Sequence, residues 1–456
     1  MVSVIERIAQ RAEMPPPVSP LATARARDAV IDTIGCIFAG AHDGATRSVA
    51  KAFASECSRT GPSWIAGYGR ASPAVAALVN GTAAHSLDFD DNFHPARAHA
   101  SAVLIPALLA IATADEAISG RQFIDAYLVG LDAQAAVGFG VNPSHYNAGW
   151  HGTSTVGCIG AAAGVARLLN LAGRDIAQAM SIATSFAAGP KGQFGTPVKP
   201  LHAGMAARHA VEAGLLARAG MAGRLDILEG SQGFLELFGG DAPSGWHGLE
   251  WGDRHVIEMR GLVTKRHPGC ASTHRAIDTV LELAEEGCFS DDDIAGIDTL
   301  VGLSAARNLA YPDPQDEMQA RFSMQYCVAA ALVQGKLSLA DFTPDAIHRP
   351  AIRRLMPRIV MKAYAAAQER GVERLPHRVT VTLADGRCFT RERLHAKGAI
   401  AAPLSEADRR AKFEDCLAWA GVVNVGQIYD HLLALDQAPS VRQLVENIQH
   451  HLGGLS

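Results

Sequence analysis

The sequence lacks the arrangements of cysteine and histidine that mark disulfide scaffolds and structural zinc sites. Its 456 residues include eight cysteines, none of them in a C-x-x-C pair, and no histidines spaced as H-x-H or H-x-x-x-H. Cysteines without a pairing rhythm in a long chain are typical of free thiols in a reducing compartment. We therefore expect a cytoplasmic protein without a dedicated metal site.

Positive charge and long apolar runs are also scarce. Lysine and arginine number 41 against 46 aspartates and glutamates, and no basic block stands out, so we expect no nucleic-acid partner. The most apolar run, Ser101 to Ala114, is shorter than a membrane span and contains Pro106. Glu6 and Arg7 stand where a secretion signal has its apolar stretch. We therefore expect neither a signal peptide nor a membrane partner.

Two common sequence signatures of enzymes are missing as well. The glycine-rich phosphate loops and the G-x-S-x-G serine motif do not occur, which argues against a nucleotide-binding enzyme and a serine hydrolase. What is present is apolar material, since 48% of the residues are hydrophobic and only 19% are charged. That composition excludes disorder and predicts a sizeable core, in about three domains or in one large domain with a satellite.

The chain divides into regions of different periodicity. Up to about residue 255 it is rich in alanine and glycine, with helical spacing almost throughout. Residues 255–263 and 294–303 alternate like strands, and 378–394 alternates on both sides of Asp385-Gly386, a strong hairpin signal. We predict a mostly α protein, with a large all-helical domain (1–255 plus 398–456) and an inserted α+β lid domain (256–397). The predicted helices cover about 19–39, 72–86, 101–117, 120–138, 151–169, 173–187, 200–219, 224–229, 271–287, 321–335, 349–356, 405–420, 425–435 and 439–452.

Four segments place basic side chains where predicted helices begin. A helix N-terminus carries about half a positive charge, so a cation there costs about 0.3–1 kcal/mol. An anion on which several helix starts converge would reverse the sign of that interaction. Because phosphate loops are missing, the pattern favours a substrate with several carboxylates. The segments are 88–99, 149–155, 195–202 and 265–274, and their basic groups include His99, His151, Lys199 and Lys265.

Each candidate also has a structural alternative. A single histidine can be a satisfied core residue, and Lys199 before Pro200 can be an exposed helix start. Asp88 either caps a helix or orients a histidine. Cys270 lies in a basic stretch at a predicted helix N-terminus, where thiolate forms readily, but a packed cysteine fits equally. Tyr326 is either a phenolic acid or a core tyrosine.

Taken together, these groups provide cations that hold carboxylates and imidazoles that move protons. Such equipment suits abstraction of a proton next to a carboxylate, with the carbanion stabilised electrostatically and without a cofactor. From the residues alone, the inference extends to this reaction class and no further.

The same segments resemble those of the 2-methylcitrate dehydratase superfamily, MmgE/PrpD. The resemblance covers nearly the whole chain and implies a helical domain with an inserted lid, a homodimer, and metal-free chemistry on small di- or tricarboxylates. Members dehydrate 2-methylcitrate, decarboxylate cis-aconitate or epimerise iminodisuccinate. The matching segments, in order, are 85–91, 99–106, 149–164, 199–204 and 265–278.

Carried over residue by residue, the resemblance gives two sets of site residues. Asn92 stands where the cis-aconitate decarboxylases have threonine, and Cys270 stands where they have an active-site histidine. These departures argue against aconitate decarboxylation, and residues 146–157 and 194–207 resemble the epimerase branch more closely. The predicted catalytic residues are His99, His151, Asp88, Cys270 and Tyr326. The predicted substrate-binding residues are Lys199, Lys265, Asn92 and Thr153.

Three functional hypotheses follow. The first is a cofactor-independent lyase, of dehydratase or decarboxylase type, that abstracts a proton next to a carboxylate of a small di- or tricarboxylate. The second is an epimerase of an iminodisuccinate-like dicarboxylate, with the same deprotonation and with Cys270 or Tyr326 returning the proton from the opposite face. The third is a carboxylate-binding protein without activity.

Overall fold

The protein folds into two compact units. The computed structural model describes residues 2–58, 60–372, 374–422 and 425–451, without the side chains of 450 and 451. The helical unit comprises Met1–Gln193, Pro197–Val263 and Arg409–Ser456, and the α+β unit comprises Phe194–Thr196 and Thr264–Asp408. The chain thus passes from one unit to the other somewhat C-terminal of the predicted positions 255 and 397. The predicted mostly α fold with a separate smaller α+β domain is confirmed.

The N-terminal part of the helical unit contains most of the helices. It also has a short antiparallel hairpin of β1 (Ser63–Ile65) and β2 (Gly69–Ala71), so the predicted all-helical domain is not entirely helical. Its helices are α1 (Val4–Glu13), α2 (Pro20–Gly40), α3 (Gly44–Ala52), α4 (Pro73–Ser86), α5 (Ala100–Ala112), α6 (Gly120–Val141), α7 (Ser144–Asn147), α8 (Val156–Leu168), α9 (Gly173–Thr184), α10 (Val198–Arg218), α11 (Phe234–Phe238) and α12 (Val256–Met259).

Helices α4, α5, α6, α8 and α10 form the interior of this unit. Every residue of α5 is buried, because the helix is apolar all round and other helices pack on all its sides. In the described part of the chain, α6 is the one helix that is long and apolar enough to cross a membrane by length and composition. Of its most apolar window, 83% is buried inside the protein.

The α+β unit is built on a four-stranded sheet with the order β4-β3-β5-β6. Strand β3 pairs parallel with β4 and antiparallel with β5, and β5 with β6 is the predicted hairpin around Asp385-Gly386. Val379, Val381 and Leu383 point from β5 into the core, whereas the residues between them face outward. The elements are α13 (Ala271–Gly287), β3 (Ile294–Val301), α14 (Leu303–Asn308), α15 (Glu317–Ala320), α16 (Met324–Gln334), α17 (Pro350–Leu355), β4 (Ile359–Ala363), α18 (Ala366–Glu369), β5 (His377–Leu383) and β6 (Cys388–Arg393).

The chain returns to the helical unit near its C-terminus. The last helices are α19 (Glu406–Trp419), α20 (Val425–Leu433) and α21 (Val441–His451), close to the predicted spans. Residue 452, the last of the predicted helix 439–452, lies outside the described residues. Short 3-10 helices occur at 54–56, 94–96, 191–193, 291–293, 339–341, 346–348, 356–358 and 435–437.

Some predicted elements are wrong. The stretch 255–263 is not a strand, because the N–H of Val256 donates to Asp132 Oδ1 at 2.8 Å and starts the short helix α12. Asp132 lies on α6, so this capping contact depends on tertiary structure. Residues 224–229, predicted as a helix, form turns. Helix α8 begins at Val156 rather than at 151, and residues 152–155 are a turn.

Candidate active site in the helical unit

The crossing of α4 and α10 brings two of the predicted segments together. A Cβ on Gly81 would lie 2.9 Å from Gly204 Cα, and a Cβ on Gly204 would lie 2.4 Å from the carbonyl oxygen of Leu78. Only glycine allows backbones this close. His85 follows one turn after Gly81, and Lys199 precedes Gly204, so the crossing fixes both side chains in the same region.

A second backbone contact joins the loops before α5 and α8. A Cβ on Gly152 would lie 2.6 Å from the carbonyl oxygen of Arg97, so the two loops pack directly on each other. Thr153 Oγ1 accepts a hydrogen bond of 3.0 Å from the N–H of His99, which is the N-cap residue of α5. Thr153 is fully buried, and its hydroxyl supports the start of α5. His151 and His99 are thereby held on adjoining loops.

Lys199 and Asp88 form a buried ion pair at the centre of the site. Lys199, in the first turn of α10, donates from Nζ to Asp88 Oδ1 at 2.9 Å, and the two side chains are only 3% and 5% exposed. Asp88 has a positive φ of 51°, a conformation that aspartate tolerates better than most residues. The same Oδ1 lies 3.9 Å from His99 Nε2. The carboxylate therefore fixes the ammonium group next to an imidazole.

A second carboxylate, Asp90, contacts two histidines. Its Oδ2 accepts a hydrogen bond of 2.8 Å from His85 Nδ1 and lies 3.1 Å from His99 Nδ1. Burial raises the pKa of Asp90, but His85 and His99 more than offset this effect and hold it well below its usual range. Burial likewise lowers the pKa of His85 to about 3, so this imidazole is neutral at physiological pH.

The third imidazole, His151, lies beside the other two. The ring centroids of His85 and His99 are 4.3 Å apart, and that of His151 is 5.7 Å from His85 and 6.4 Å from His99. His151 Nδ1 is 3.1 Å from His202 Nδ1 on α10, so one of these nitrogens donates to the other. Burial lowers the pKa of His151 well below its usual value and that of His202 to about 4, which favours neutral rings.

The groups of the site suit proton transfer. Asp88, Asp90 and the ammonium group of Lys199 surround three imidazoles, and burial favours the neutral form of His85 and His151. A neutral imidazole accepts a proton, and a neighbouring carboxylate stabilises the imidazolium that forms. Of the predicted catalytic set, the structure brings His99, His151 and Asp88 together with the predicted carboxylate ligand Lys199.

The same cluster has the composition of a metal site. One ligand atom from each of His85, Asp88, Asp90 and His99 lies within 4.8 Å of the others. The ammonium group of Lys199 already occupies Asp88 Oδ1, and the imidazole Nδ1 atoms face Asp90 Oδ2. A metal ion would have to displace these cationic and N–H partners from the carboxylates it needs. The arrangement therefore favours ion pairing and hydrogen bonding within the cluster over metal binding.

The two residues that follow Asp90 stabilise the structure of the loop. Asp91 Oδ1 accepts a hydrogen bond of 3.4 Å from the N–H of Ser101, and burial raises the pKa of Asp91 to about 7. Asn92 pairs through its backbone with Val263, in hydrogen bonds of 3.0 and 2.8 Å. The amide Nδ2 of Asn92 is buried without a hydrogen-bond partner among the described residues.

The α+β unit contains the other predicted site residues. Lys265 is fully buried, on a segment held by a 3.1 Å hydrogen bond from the N–H of Thr264 to Gly398. Cys270 is the N-cap residue of α13, and its N–H donates to the Arg321 carbonyl at 2.8 Å. Between them, His267 Nε2 hydrogen-bonds with Asp278 Oδ1 at 3.1 Å. This segment is therefore ordered by contacts within its own unit.

Tyr326 lies in the hydrophobic core of the α+β unit. It is fully buried on α16, packs against Phe342 and donates from its hydroxyl to the carbonyl of Asp341. Burial raises the pKa of Tyr326 above its ordinary value. The structure thus gives the phenol a partner inside its own unit and favours the core alternative over a phenolic acid.

Sequence reasoning missed three members of the cluster in the helical unit. His85 and Asp90 lie in the matched segment 85–91 but are not among the predicted site residues, and neither is His202. For His85 the available signal is its position in the last turn of a mostly apolar helix, three residues before Asp88 and five before Asp90. The contact between His151 and His202, which are 51 residues apart, has no local signal.

Comparison with known proteins identifies the family of this chain. The MmgE/PrpD N-terminal domain matches residues 8–247, and the MmgE/PrpD C-terminal domain matches residues 267–431. Cis-aconitate decarboxylase of Homo sapiens is 29% identical over 441 residues, which cover 92% of this chain and 90% of the human protein. The Mus musculus enzyme of that name is 30% identical over 404 residues, covering 85% and 81%. That of Aspergillus terreus is 25% identical over 450 residues, covering 92% and 90%. The chain therefore belongs to the MmgE/PrpD family and is a lyase of the decarboxylase or dehydratase type.

Proposed function

We propose that this protein is a cofactor-independent lyase that acts on a small di- or tricarboxylate by proton transfer at a carbon next to a carboxylate. The observation that carries the proposal is the buried cluster of the Lys199–Asp88 ion pair with three imidazoles. Cis-aconitate, the substrate in the names of the relatives, is the first compound to test. The 29–30% identity to the mammalian proteins supports this choice.

Decarboxylation would use the cluster to supply a proton. The bond between a carbon and its carboxylate breaks, carbon dioxide leaves, and the electron pair stays on the carbon, delocalised toward the remaining carboxylates. A protonated imidazole, His99 or His151, then gives its proton to that carbon. Lys199 binds a carboxylate and stabilises the negative charge that develops. Asp88 keeps the ammonium group in position.

Dehydration would use the same groups in the opposite order. A neutral imidazole takes the proton next to a carboxylate, the electron pair forms the double bond, and the hydroxyl group leaves as water after it receives a proton from a second imidazole. Burial favours the neutral form that this base requires. Dehydration therefore needs one imidazole as the base and a second as the acid, whereas decarboxylation needs only the acid.

The alternative is an epimerase, which needs proton donors on both faces of one carbon. The position of Cys270 at the N-terminus of α13, a helix of 17 residues, favours this alternative, because a helix N-terminus stabilises thiolate. Lys265 stays a predicted carboxylate ligand. Substitution of Cys270 by serine would abolish epimerisation and leave elimination or decarboxylation largely intact.

The test is incubation of the purified protein in heavy water with a panel of polycarboxylates, followed by proton NMR. The panel contains cis-aconitate, citrate, 2-methylcitrate and an aspartate-derived dicarboxylate. We expect a new alkene product from one of them, with loss of carbon dioxide or water. Deuterium at the carbon next to the carboxylate without a new product would support the epimerase. Neither change with any compound would contradict the proposal.

We also propose that the protein is a homodimer in the cytoplasm and uses no metal. All eight cysteines are free thiols, which supports a reducing compartment. Light scattering during gel filtration measures the mass in solution, for which the homodimer requires twice 48.0 kDa. Activity that survives dialysis against a strong chelator would support metal-free chemistry, and loss restored by one added metal would contradict it.

A further inference from the structure

Asp90 contacts two imidazoles of the cluster through the same oxygen. His85 Nδ1 is 2.8 Å and His99 Nδ1 is 3.1 Å from Asp90 Oδ2. Asp90 is fully buried, so no water screens these contacts. The two rings reach the carboxylate from different elements, His85 from the last turn of α4 and His99 from the N-cap of α5.

This geometry sets the tautomer of both rings. A nitrogen lone pair that faced a carboxylate oxygen at these distances would be repelled, so each Nδ1 must carry a hydrogen. The neutral rings then have their lone pairs on Nε2. His99 Nε2 faces the ion pair of Asp88 and Lys199, 3.9 Å from Asp88 Oδ1. The basic nitrogen of His99 is therefore directed to the place where the ammonium group would bind a carboxylate.

We infer that Asp90 is a positioning residue that fixes His99 as the Nδ1–H tautomer, with Nε2 as the proton-transferring atom, and that His85 moderates this effect by sharing the same carboxylate oxygen. The inference rests on the proposed function and deepens it, since it names the reacting nitrogen. Asp90 itself does not contact the substrate. It acts by orienting His99 and by stabilising the imidazolium that His99 becomes during the reaction.

His85 has a separate effect in this arrangement. The ring stays neutral, because burial lowers its pKa to about 3, and it gives one hydrogen bond to Asp90. That bond withdraws part of the carboxylate's negative charge from His99. Without this hydrogen bond, Asp90 would interact with His99 alone, and His99 would become more basic. Substitution of Asp90 and substitution of His85 should therefore have opposite effects on the same group.

Besides Asp90 and His85, three further charged or titratable groups of the cluster lie near His99. They are Asp88 on the loop after α4, His151 on the loop before α8, and Lys199 on α10. His202, also on α10, contacts His151. The ion pair of Asp88 and Lys199 contributes no net charge. Asp90 is thus the carboxylate whose charge is not balanced by an ammonium group, and it supplies the stabilisation of the imidazolium.

The first test reads the tautomer directly and does not depend on activity. Protein labelled with 15N-histidine gives nitrogen chemical shifts that distinguish a protonated Nδ1 from a protonated Nε2, and His99→Gln assigns the signal. We expect protonated Nδ1 for His99 in the unaltered protein, and a mixture of tautomers in Asp90→Asn. A protonated Nε2 in the unaltered protein, or an unchanged pattern in Asp90→Asn, would overturn the inference even if the protein is a lyase.

The second test uses the pH profile of kcat/KM. We expect the limb that His99 sets to move to lower pH in Asp90→Asn and to higher pH in His85→Phe. This is the acid limb where His99 acts as a base and the alkaline limb where it acts as an acid. The shift should be small in His85→Gln, whose amide can still donate to Asp90. The matched control is Asp91→Asn, because Asp91 is a buried neighbour that contacts Ser101 and no imidazole. A purely structural role of Asp90 would lower the stability of Asp90→Asn and leave the pH limbs where they are.

If Asp90→Asn does not fold, Asp90→Glu and His85→Phe still test whether Asp90 positions His99. The longer carboxylate of Asp90→Glu keeps the charge, and we expect it to keep the Nδ1–H pattern while kcat falls more than KM rises. If the limb that His99 sets moved to lower pH in His85→Phe, the inference would be contradicted. If no substrate is turned over by any form of the protein, the proposed function fails while the NMR result stands independently.

Discussion

The two units place their predicted site residues in different ways. In the helical unit, candidates from segments up to 111 residues apart meet through side-chain contacts, with Lys199 on Asp88 and His99 on Asp90. In the α+β unit, the candidates are held by contacts with the backbone. Cys270 is fixed by the Arg321 carbonyl, and the Tyr326 hydroxyl by the Asp341 carbonyl.

The difference shows which positions allow a polar side chain to react. Loops that enter buried helices, such as those before α5 and α10, bring charged groups inside and leave their remaining donors and acceptors directed at one another. A polar residue within an apolar helix, such as Tyr326 on α16, instead finds the nearest backbone carbonyl.

Lys199→Met should have the largest effect on the side-chain contacts that distinguish the helical unit. The change leaves Asp88 as an uncompensated buried charge, at a cost of about 3–5 kcal/mol of unfolding free energy. It also removes the cation that binds a carboxylate, so we expect a loss of about 10³-fold in kcat/KM. Chemical denaturation and steady-state kinetics measure the two effects.

The double variant Lys199→Met with Asp88→Asn separates these two effects. It buries no unpaired charge, so we expect the unfolding free energy to recover much of the loss while kcat/KM stays low. Recovery of activity together with stability would mean that the pair is structural.

Acid should destabilise the helical unit more than the α+β unit. Burial lowers the pKa of His85 to about 3 and that of His145 and His202 to about 4. The unfolded chain therefore binds more protons than the folded chain below about pH 6.5, the ordinary value for histidine, and stability falls as the pH falls toward 4. Protection factors from hydrogen exchange at pH 7 and pH 5 should fall first in the helical unit as the pH is lowered. A fall in protection confined to the α+β unit would contradict this expectation.

Asp91 should show the opposite pH dependence. Burial raises its pKa to about 7, so between about pH 4 and pH 7 the folded chain binds the extra proton and stability falls as the pH rises. Asp91→Asn removes this loss and should raise the unfolding free energy at pH 8 by up to about 4 kcal/mol. Activity should not change, since Asp91 contacts Ser101 rather than the imidazoles. Equal stability of the two proteins at pH 8 would show that the carboxyl group is not held protonated.

Tyr326→Phe should have the smallest effect. The Asp341 carbonyl loses its donor, which costs about 1–2 kcal/mol of unfolding free energy. Because the phenol lies in the core of the α+β unit, kcat should stay close to that of the unaltered protein. A fall in kcat of about 100-fold or more would instead make Tyr326 a proton donor.

Much of this arrangement could be predicted from the sequence. The hairpin at Asp385-Gly386 and the long helices have strong local signals, and the MmgE/PrpD resemblance is confirmed by matches over both parts of the chain. The short helix α12 could not be predicted, since Asp132 caps it from more than a hundred residues away. The roles of His85 and Asp90 depend in the same way on the crossing at Gly81 and Gly204, which no local pattern shows.

The central claim is that the imidazole cluster of the helical unit transfers the proton, and one measurement tests it most directly. Product formation and deuterium incorporation from heavy water are followed by NMR for the unaltered protein, His99→Gln and His151→Gln. His209→Gln is the control, because His209 is partly buried on α10 beside Phe186 and outside the cluster. We predict a loss of about 10²–10⁴-fold in product formation for both cluster variants and almost none for the control. Undiminished product formation and deuterium incorporation in both cluster variants would contradict the account.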